Sequence, residues 1–556
     1  MRAKADVNIL AHRGKPGKIK MPVKNGLAAL LGAMLLALAA CLPAVQTQPG
    51  AGQGRLIYGL TLQPSGFDPH IHRSSELGIP LRQVYDTLVY RDPATRAFVP
   101  GLATEWTISG DGLLYTFRLH QGVVFHDGTP FNAQAVAANL DRIVDPATGS
   151  QRAAFMLGPY AGYKIADDYT ISIRLSAPYS PLLDALAQVY LGMASPTAFS
   201  QYSTNRYQFH QVGTGPFVFV ELIPGERILL KRNPAYAWGP AFYQPPGENA
   251  VNEIEFRFFS DPATRLLVLE SGDAQVMGEL LPTDARLLTG NSSIQLLPVS
   301  VPGQPIQFLM NTARFPTDNR AVRQALLFGT NRNAIVDAVF QRFSPVAWGP
   351  LAANTLFYNR AMNGAYAFDS AQARALLASA GFQDSNTDGI LEAGGVDLEV
   401  SVIVPPWGLI PQIAELLLDQ WRTIGVRVRL TPVPTFPALQ EAVQQGDYNL
   451  VAFDTPGLDP ALLNDFYLST GSLNWTGFAS QELDTLLTQA VAQTDEAARQ
   501  ALYNQAQQLI MEEALTLPIR DYVNLNASRA ALQNLTFDPY GWFPLLNNVV
   551  YAGDAP

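Results

Sequence analysis

The chain has 556 residues, 48% of them hydrophobic, and a formal net charge of −10 at neutral pH. That length accommodates two or three domains with cores of their own, and the acidic balance argues against nonspecific binding to nucleic acid. Cys41 is the one cysteine, so no disulfide can form within the chain and stability must come from core burial.

The first residues are basic, with seven Lys or Arg up to Lys24 against Asp6, and an uninterrupted run of apolar and small residues follows over 27–40. A membrane-spanning helix takes about 20 apolar residues, so the run is short for one. A basic segment, a short apolar run and small residues before a processing point read as a secretory signal over 1–40, with Met21 as an alternative start. The run ends Leu38-Ala39-Ala40-Cys41, which resembles a bacterial lipobox, in which the cysteine receives a diacylglycerol and becomes the mature N-terminus. Processing there removes seven cationic residues and one anionic one, taking the net charge from −10 to −16. The acyl chains would anchor the protein to a membrane. Residues 41–54, which include QTQPGAGQG, read as a polar, lipidated tether.

Residues 55–62 are predicted as a strand, PSGFDPH at 64–70 as a loop, and LRQVYDTLVY at 81–90 as a helix packed through Val84 and Leu88. Within 101–143, GLATEWTISGDGLLYTFRLHQGVVFHDGTPFNAQAVAANLDRI, the span 113–119 is rich in aromatic and β-branched residues and reads as a strand. His120-Gln121-Gly122 turns it into a second strand at 123–125, which Asp127-Gly128 ends with residues that tolerate positive φ. Asn132 stands where an N-cap belongs, ahead of a helix over 133–143 with Val136, Leu140 and Ile143 on one face. Strands are expected at 169–175 and 253–259, and helices at 181–190 and 263–271, the latter stopped by Gly272.

VGTGPF at 212–217 has the glycines of a phosphate loop, but no Lys-Ser/Thr follows and no helix begins there. Asp318 is expected to cap a helix that restarts at Asn331. Residues 412–424 make the cleanest amphipathic helix, buried through Ile413, Leu416, Leu417, Trp421 and Ile424 and ended by Gly425. The VRVRL strand after it completes a helix–strand unit of a mixed α/β lobe. Two more helices over 482–514 precede a strand at 517–526, and no internal repeat is present.

Catalytic chemistry finds little support. No G-x-S-x-G, H-E-x-x-H or nucleophilic cysteine pattern occurs. His70-Ile71-His72 places two imidazoles on one side of an extended segment, yet no cysteine or clustered carboxylate completes a metal site in sequence. His126 and Asp127 are adjacent, and neighbours on a strand point to opposite faces. Asp384, Asn386 and Asp388, followed by Gly389, copy the first half of a calcium loop. The twelfth position is Gly395 where a bidentate Glu is wanted, although Glu392 stands at the ninth, so a plain Asp/Asn turn competes with a structural calcium that would stiffen a loop. No other cofactor is expected.

The wording of 101–143, together with DTLVY at 86–90, VGTGPF, RNPAYAWG at 232–239 and SGDAQVMG at 271–278, closely resembles the extracellular solute-binding proteins, family 5, that feed peptide- and nickel-type ABC importers. The resemblance spans about 55–550. It implies an α/β, two-lobed clamshell of the type II periplasmic-binding class with mixed sheets. Its first lobe would span 55–300, with an inserted subdomain at about 93–211; a second lobe would span 301–520, and 521–556 would return to the first. A ligand would be enclosed between the lobes by hinge closure.

A cleft for a small polar solute needs aromatic walls and a few convergent polar groups. Trp407 follows a strand and precedes a helix, where its ring can overhang a cleft, while Arg520 and Tyr522 lie on the returning segment and suit a carboxylate or a backbone carbonyl. In oligopeptide-binding members of the family, the junction after the strand at 448–452 supplies an aspartate that pairs with the peptide α-ammonium. Here the string AFDTPGLDP, containing Phe453, differs in spacing, so Asp454 and Asp459 both stand as candidates. Trp475 matches a family position near the cleft rim.

The resemblance implies a monomeric, lipid-anchored, extracytoplasmic protein that delivers a peptide-like solute to the transmembrane subunits of an ABC permease. A nickel chelate, a sugar or another small polar solute is the alternative cargo. A permease-independent sensor or chaperone and a secreted hydrolase are the alternatives of other classes.

Overall fold

The computed structural model describes residues 54–553 except 65, 73 and 248. The expected signal segment, Cys41 and the tether up to residue 53 lie outside the described residues.

Two sheets organise the described chain. The first has seven strands in the order Ile294–Ser300, Val523–Arg529, Val276–Met277, Arg55–Leu60, Glu253–Phe258, Arg227–Arg232, Phe217–Ile223. The period of two along a strand divides its side chains between two cores. In RLIYGL, Leu56, Tyr58 and Leu60 enter one cluster, and Ile57 enters the other with Leu269, Leu280 and Leu525.

The second sheet has five strands in the order Arg427–Pro432, Glu399–Val404, Leu450–Phe453, Ile306–Met310, Thr516–Arg520. Val400, Val402 and Val404 face one core, where the helix Ile410–Arg422 buries Ile413, Leu417 and Trp421. Ile403 and Phe453 face the opposite core, packed by the helices Gln481–Ala492 and Glu496–Glu512. Each sheet is thus a hydrophobic septum between two layers, the arrangement expected of a mixed α/β lobe. A separate four-stranded antiparallel sheet, Ala103–Ile108, Leu114–Leu119, Thr170–Leu175 and Tyr160–Asp167, packs against the helix Ala133–Val144 and shares the larger core of the first lobe.

The chain crosses between the two main sheets at 301–305 and again at Asp521-Tyr522, and Val301 N–H donates to the Tyr522 carbonyl at 2.9 Å, tying the crossings together. Away from them, the Ser180 N–H and hydroxyl each donate to the Val491 carbonyl at 2.9 Å, and Arg96 Nη1 donates to the Asn354 carbonyl at 2.7 Å.

Several elements differ from the sequence-based expectation. The strand Leu114–Leu119 pairs with Ala103–Ile108 and Thr170–Leu175, and 123–125 makes only the isolated bridge Val124–Pro130, so no hairpin forms there. The helix expected over 81–90 is Ser75–Val84, because Asp86 is buried as the acceptor for Tyr90, Thr214, Tyr236 and Trp238, and Val89–Arg91 is drawn into a strand. Asn319, and not Asp318, caps the helix Arg320–Phe328, accepting from Ala321 N–H, while Asn331 does cap the restart. The span 517–526 is two strands in different sheets, broken by the second crossing.

Candidate functional site

The strands Arg55–Leu60 and Val276–Met277 run parallel, so their carboxyl ends share one edge of the first sheet, next to the start of Val523–Arg529. Glu399–Val404 and Leu450–Phe453 likewise run parallel in the second sheet, and their carboxyl ends lie beside the start of Ile306–Met310 and the end of Thr516–Arg520. Both crossings leave from these edges, so the two lobes meet at the carboxyl ends of their strands. That is where open α/β sheets place ligand sites, because the loops there diverge and leave polar groups uncovered.

From the first lobe come Thr61, Glu76, Glu279 and Trp542. Thr61 follows the first strand, and Glu76 occupies the first turn of Ser75–Val84, where the helix dipole favours an anion. Glu279 leaves the short strand with a left-handed φ of 48°. Its N–H donates to Asn524 Oδ1 at 3.0 Å, and Arg265 Nη1 donates to its carbonyl at 2.7 Å, which holds a conformation that ordinary side chains avoid. Thr61 Oγ1 lies 2.6 Å from Glu279 Oε2 and 3.2 Å from Glu76 Oε1. Tyr522 Oη donates to Glu279 Oε1 at 3.2 Å, and its ring stands 5.8 Å from that of Trp542.

From the crossings and the second lobe come Gln304, Arg520, Asp454 and Trp407. The Arg520 guanidinium lies 4.1 Å from the Phe340 ring centre and 4.4 Å from that of Tyr522, and Nη1 donates to Ser344 Oγ at 3.1 Å. Burial pushes its pKa down, against the pull of Tyr522 and Asp454. Burial raises Asp454 to about 6, with Arg520 lowering it and Glu279 raising it, so carboxylates from both lobes feel each other across the cleft. Glu76 is pushed up, first by burial and then by Glu279.

Buried polar atoms here lack protein partners: Glu76 Oε2, Gln304 Oε1 and Nε2, Arg520 Nε and Trp542 Nε1. A buried polar atom left unpaired costs about 1–3 kcal/mol, which a polar guest or a bound water at these positions would offset.

Of the residues singled out in the sequence, Trp407, Asp454, Arg520 and Tyr522 gather at this edge; Trp407 packs between both cores of the second lobe, and a Cβ on its neighbour Gly408 would touch Ile306. Phe453 and Trp475 sit with Phe436 and Phe466 in an aromatic cluster, with 5.0 Å between the Phe453 and Trp475 ring centres. Asp459 is buried and held by Arg499 through two hydrogen bonds of 2.8 Å, while its Oδ1 also caps Ala461 N–H. Thr61, Glu76, Glu279, Gln304 and Trp542 were not anticipated. The available signal was modest: an acid inside the apolar stretch SELGIP, and another directly after the step QVMG.

The remaining candidates lie elsewhere. Carboxylate oxygens of Asp384, Asp388 and Glu392 fall within 4.8 Å of one another. They lie beyond the amino end of Glu399–Val404, the edge of the second sheet opposite the cleft, and the loop's own N–H groups use them: Gly389 on Asp384, Ile390 on Asp388, Ser385 on Glu392, with Asp388 N–H on Asn386. His70 is buried between Arg142 and the Gly192 carbonyl, with burial lowering its pKa to about 4. His126 Nε2 meets the Gly215 carbonyl at 3.0 Å, while Asp127 accepts from Ser195, so the two do not form a dyad. The glycines of VGTGPF serve close backbone approach: a Cβ on Gly213 would stand 2.0 Å from the Val84 carbonyl oxygen. A cavity of about 480 Å³ bordered by Asp68, His72, Thr148 and Gln208 lies on the first lobe, away from the cleft.

Two α/β lobes joined by paired crossings, with a polar cleft between strand ends, define a two-lobed periplasmic binding protein. Residues 97–477 match the family of bacterial extracellular solute-binding proteins, family 5 (its middle part), and the chain belongs to that family. Over 431 residues it is 30% identical to the glutathione-binding protein GsiB of Pectobacterium atrosepticum, covering 74% of this chain and 78% of that one. The fold is similar to that of NikA from Brucella suis, solved with Fe(III)-EDTA, with a TM-score of 0.79 and 23% identity over 90% of this chain and 100% of NikA. It is also similar to DppA from Helicobacter pylori, solved with the peptide STSA, with a TM-score of 0.71 and 23% identity over 90% of this chain and 98% of DppA. The protein is an extracytoplasmic solute-binding component of an ABC importer.

Proposed function

We propose that the captured solute is peptide-like, a short peptide or a peptide derivative with an ammonium and a carboxylate. The observation that supports this most directly is the set of partnerless buried donors and acceptors at the lobe junction, on Glu76, Gln304, Arg520 and Trp542. Peptide backbones and termini offer both kinds of group. Asp454 would take an ammonium from the second-lobe side, Arg520 and Tyr522 a carboxylate or carbonyl, and Trp407 a wall of the cleft. The relative at 30% identity is named for glutathione, itself peptide-like with one ammonium and two carboxylates.

Closure follows from the ligand's greater affinity for the closed state, because contacts from both lobes exist only there. The reading includes no bond-making or bond-breaking by this subunit, action as a monomer, and a lipid anchor at Cys41 after removal of 1–40. The test is native mass spectrometry of protein purified without refolding. A ladder of masses fitting short peptides supports the proposal; a single discrete non-peptide mass, or a metal adduct removed by chelator, overturns the peptide reading and leaves the family assignment standing.

A further inference from the structure

Glu76, Glu279 and Thr61 meet in a small cavity that Tyr58, Asn526 and Trp542 help to enclose, with room for about one water-sized group. Thr61 has a single hydroxyl hydrogen, yet its oxygen is within hydrogen-bond distance of both carboxyls. Its one hydrogen serves one carboxyl, so the second contact is a hydrogen bond only if one of the two carboxyls carries a proton and donates it to the hydroxyl oxygen. Glu279 has its other oxygen on Tyr522, whereas Glu76 Oε2 has no partner and Glu76 is only 4% exposed.

Burial, and after it Glu279, push Glu76 towards the protonated form, against the hydrogen bonds of Thr61 and, behind them, the charge of Arg265. Tyr58 and Tyr190 feel the Glu76 charge, while Tyr522 and Asp454 feel that of Glu279. No Lys or Arg forms an ion pair with either carboxylate among the described residues.

We propose that the Glu76–Glu279 pair is an ammonium subsite which holds one proton when empty and gives it to solvent when a ligand's –NH₃⁺ enters. The exchange balances: a cation replaces a proton, and the carboxylate freed on Glu76 becomes the ammonium's partner beside Glu279. A neutral ligand or an anion gains nothing from this exchange, so the pair selects solutes that carry a primary amine. The inference deepens the peptide-like reading and rests on it for the natural ligand, although its chemistry concerns only the amine.

The test measures proton release in weakly buffered solution at pH 7, with four probes: trialanine, its N-acetyl form, an N-acetylated alanine–lysine–alanine tripeptide, and propylammonium chloride. Free-amine probes are expected to release about one proton per ligand bound, and N-acetyl-trialanine none. Glu76→Gln should abolish the release and weaken the free-amine probes about 30-fold or more. Release with trialanine but not with the lysine peptide identifies an α-ammonium, and release with both admits a side-chain amine as well.

If peptides fail to bind while propylammonium gives Glu76-dependent release, the peptide reading falls and the ammonium subsite stands. Amine binding without proton release, release that Glu76→Gln leaves unchanged, or no release with any probe overturns the proposal. Thermal melting checks that Glu76→Gln is folded. If it is not, Glu279→Gln serves instead, and its proton release should move to lower pH because the repulsion is gone; release at an unaltered pH counts against the proposal.

Discussion

Asp454 and Asp459 share one loop but have different surroundings. Asp459 is sealed against Arg499, so Asp459→Ala strands a buried guanidinium and is expected to cost about 3–5 kcal/mol in chemical denaturation. The affinity of the folded fraction for trialanine should stay near that of the parent. Asp454 is half-buried at the cleft with its pKa raised to about 6, so Asp454→Asn should leave the melting temperature unchanged or higher. It should weaken capture of the same peptide about tenfold, measured by titration calorimetry.

Asp521, at the second crossing, is raised to about 7 by burial, although Ala353 N–H and Arg520 both lower it, and its Oδ1 has no partner. An unfolded aspartate titrates near about 4, so between about pH 4 and pH 7 the native state holds more protons than the unfolded one. This group's contribution to stability therefore falls as pH rises through that window. Asp521→Asn should flatten the loss of melting temperature from pH 4 to pH 7, and an unchanged slope would count against this assignment.

Among the elements, the first crossing carries a tightly constrained backbone. Gly303 has φ near 129°, and a Cβ there would stand 2.2 Å from the Thr455 carbonyl oxygen. Gly303→Ala should cost about 1–3 kcal/mol or more from backbone strain alone, read from urea unfolding, because the contact is with main chain that cannot rotate away.

The elements also show how far local pattern reaches. The Asn132 cap, the helix Ala133–Val144 and the buried stripe of Ile410–Arg422 are legible because capping and 3.6-residue periodicity are written in adjacent residues. The break at Asp521-Tyr522 is not legible. Both halves of 517–526 have strand-forming composition, and only their pairing with Ile306–Met310 in one sheet and Ile294–Ser300 in the other separates them. The 81–90 helix failed for the same kind of reason, since the bonds that bury Asp86 come from Thr214, Tyr236 and Trp238, far along the chain.

For the whole molecule, the contacts from Ser180 to Val491 and from Arg96 to Asn354 join the lobes at a distance from the crossings. They would have to break for the lobes to part. Saturating trialanine should reduce the radius of gyration seen by small-angle scattering, and Ser180→Pro, which removes both the N–H and the hydroxyl, combined with Arg96→Ala should enlarge the ligand-free particle. The proposed anchor is tested separately: Cys41→Ala should move the protein from the membrane fraction to the soluble one and abolish labelling by radioactive palmitate.

The sequence by itself determined the family, through phrases such as 101–143 and VGTGPF, and with the family the two-lobed α/β class. It also determined the helices and strands whose period and caps are local. It offered Trp407, Phe453, Asp454, Asp459, Trp475, Arg520 and Tyr522 as candidate ligand groups without telling their surroundings apart. The tertiary structure separates them by place, with Asp454 at the lobe junction and Asp459 sealed against Arg499, and it alone assembled Thr61, Glu76 and Glu279, the first and last of which are 218 residues apart. The physical reason is that period and capping are properties of neighbours along the chain. A cleft at the carboxyl ends of strands is made by long-range pairing, and a side chain's partner, or its lack of one, depends on what that pairing brings beside it.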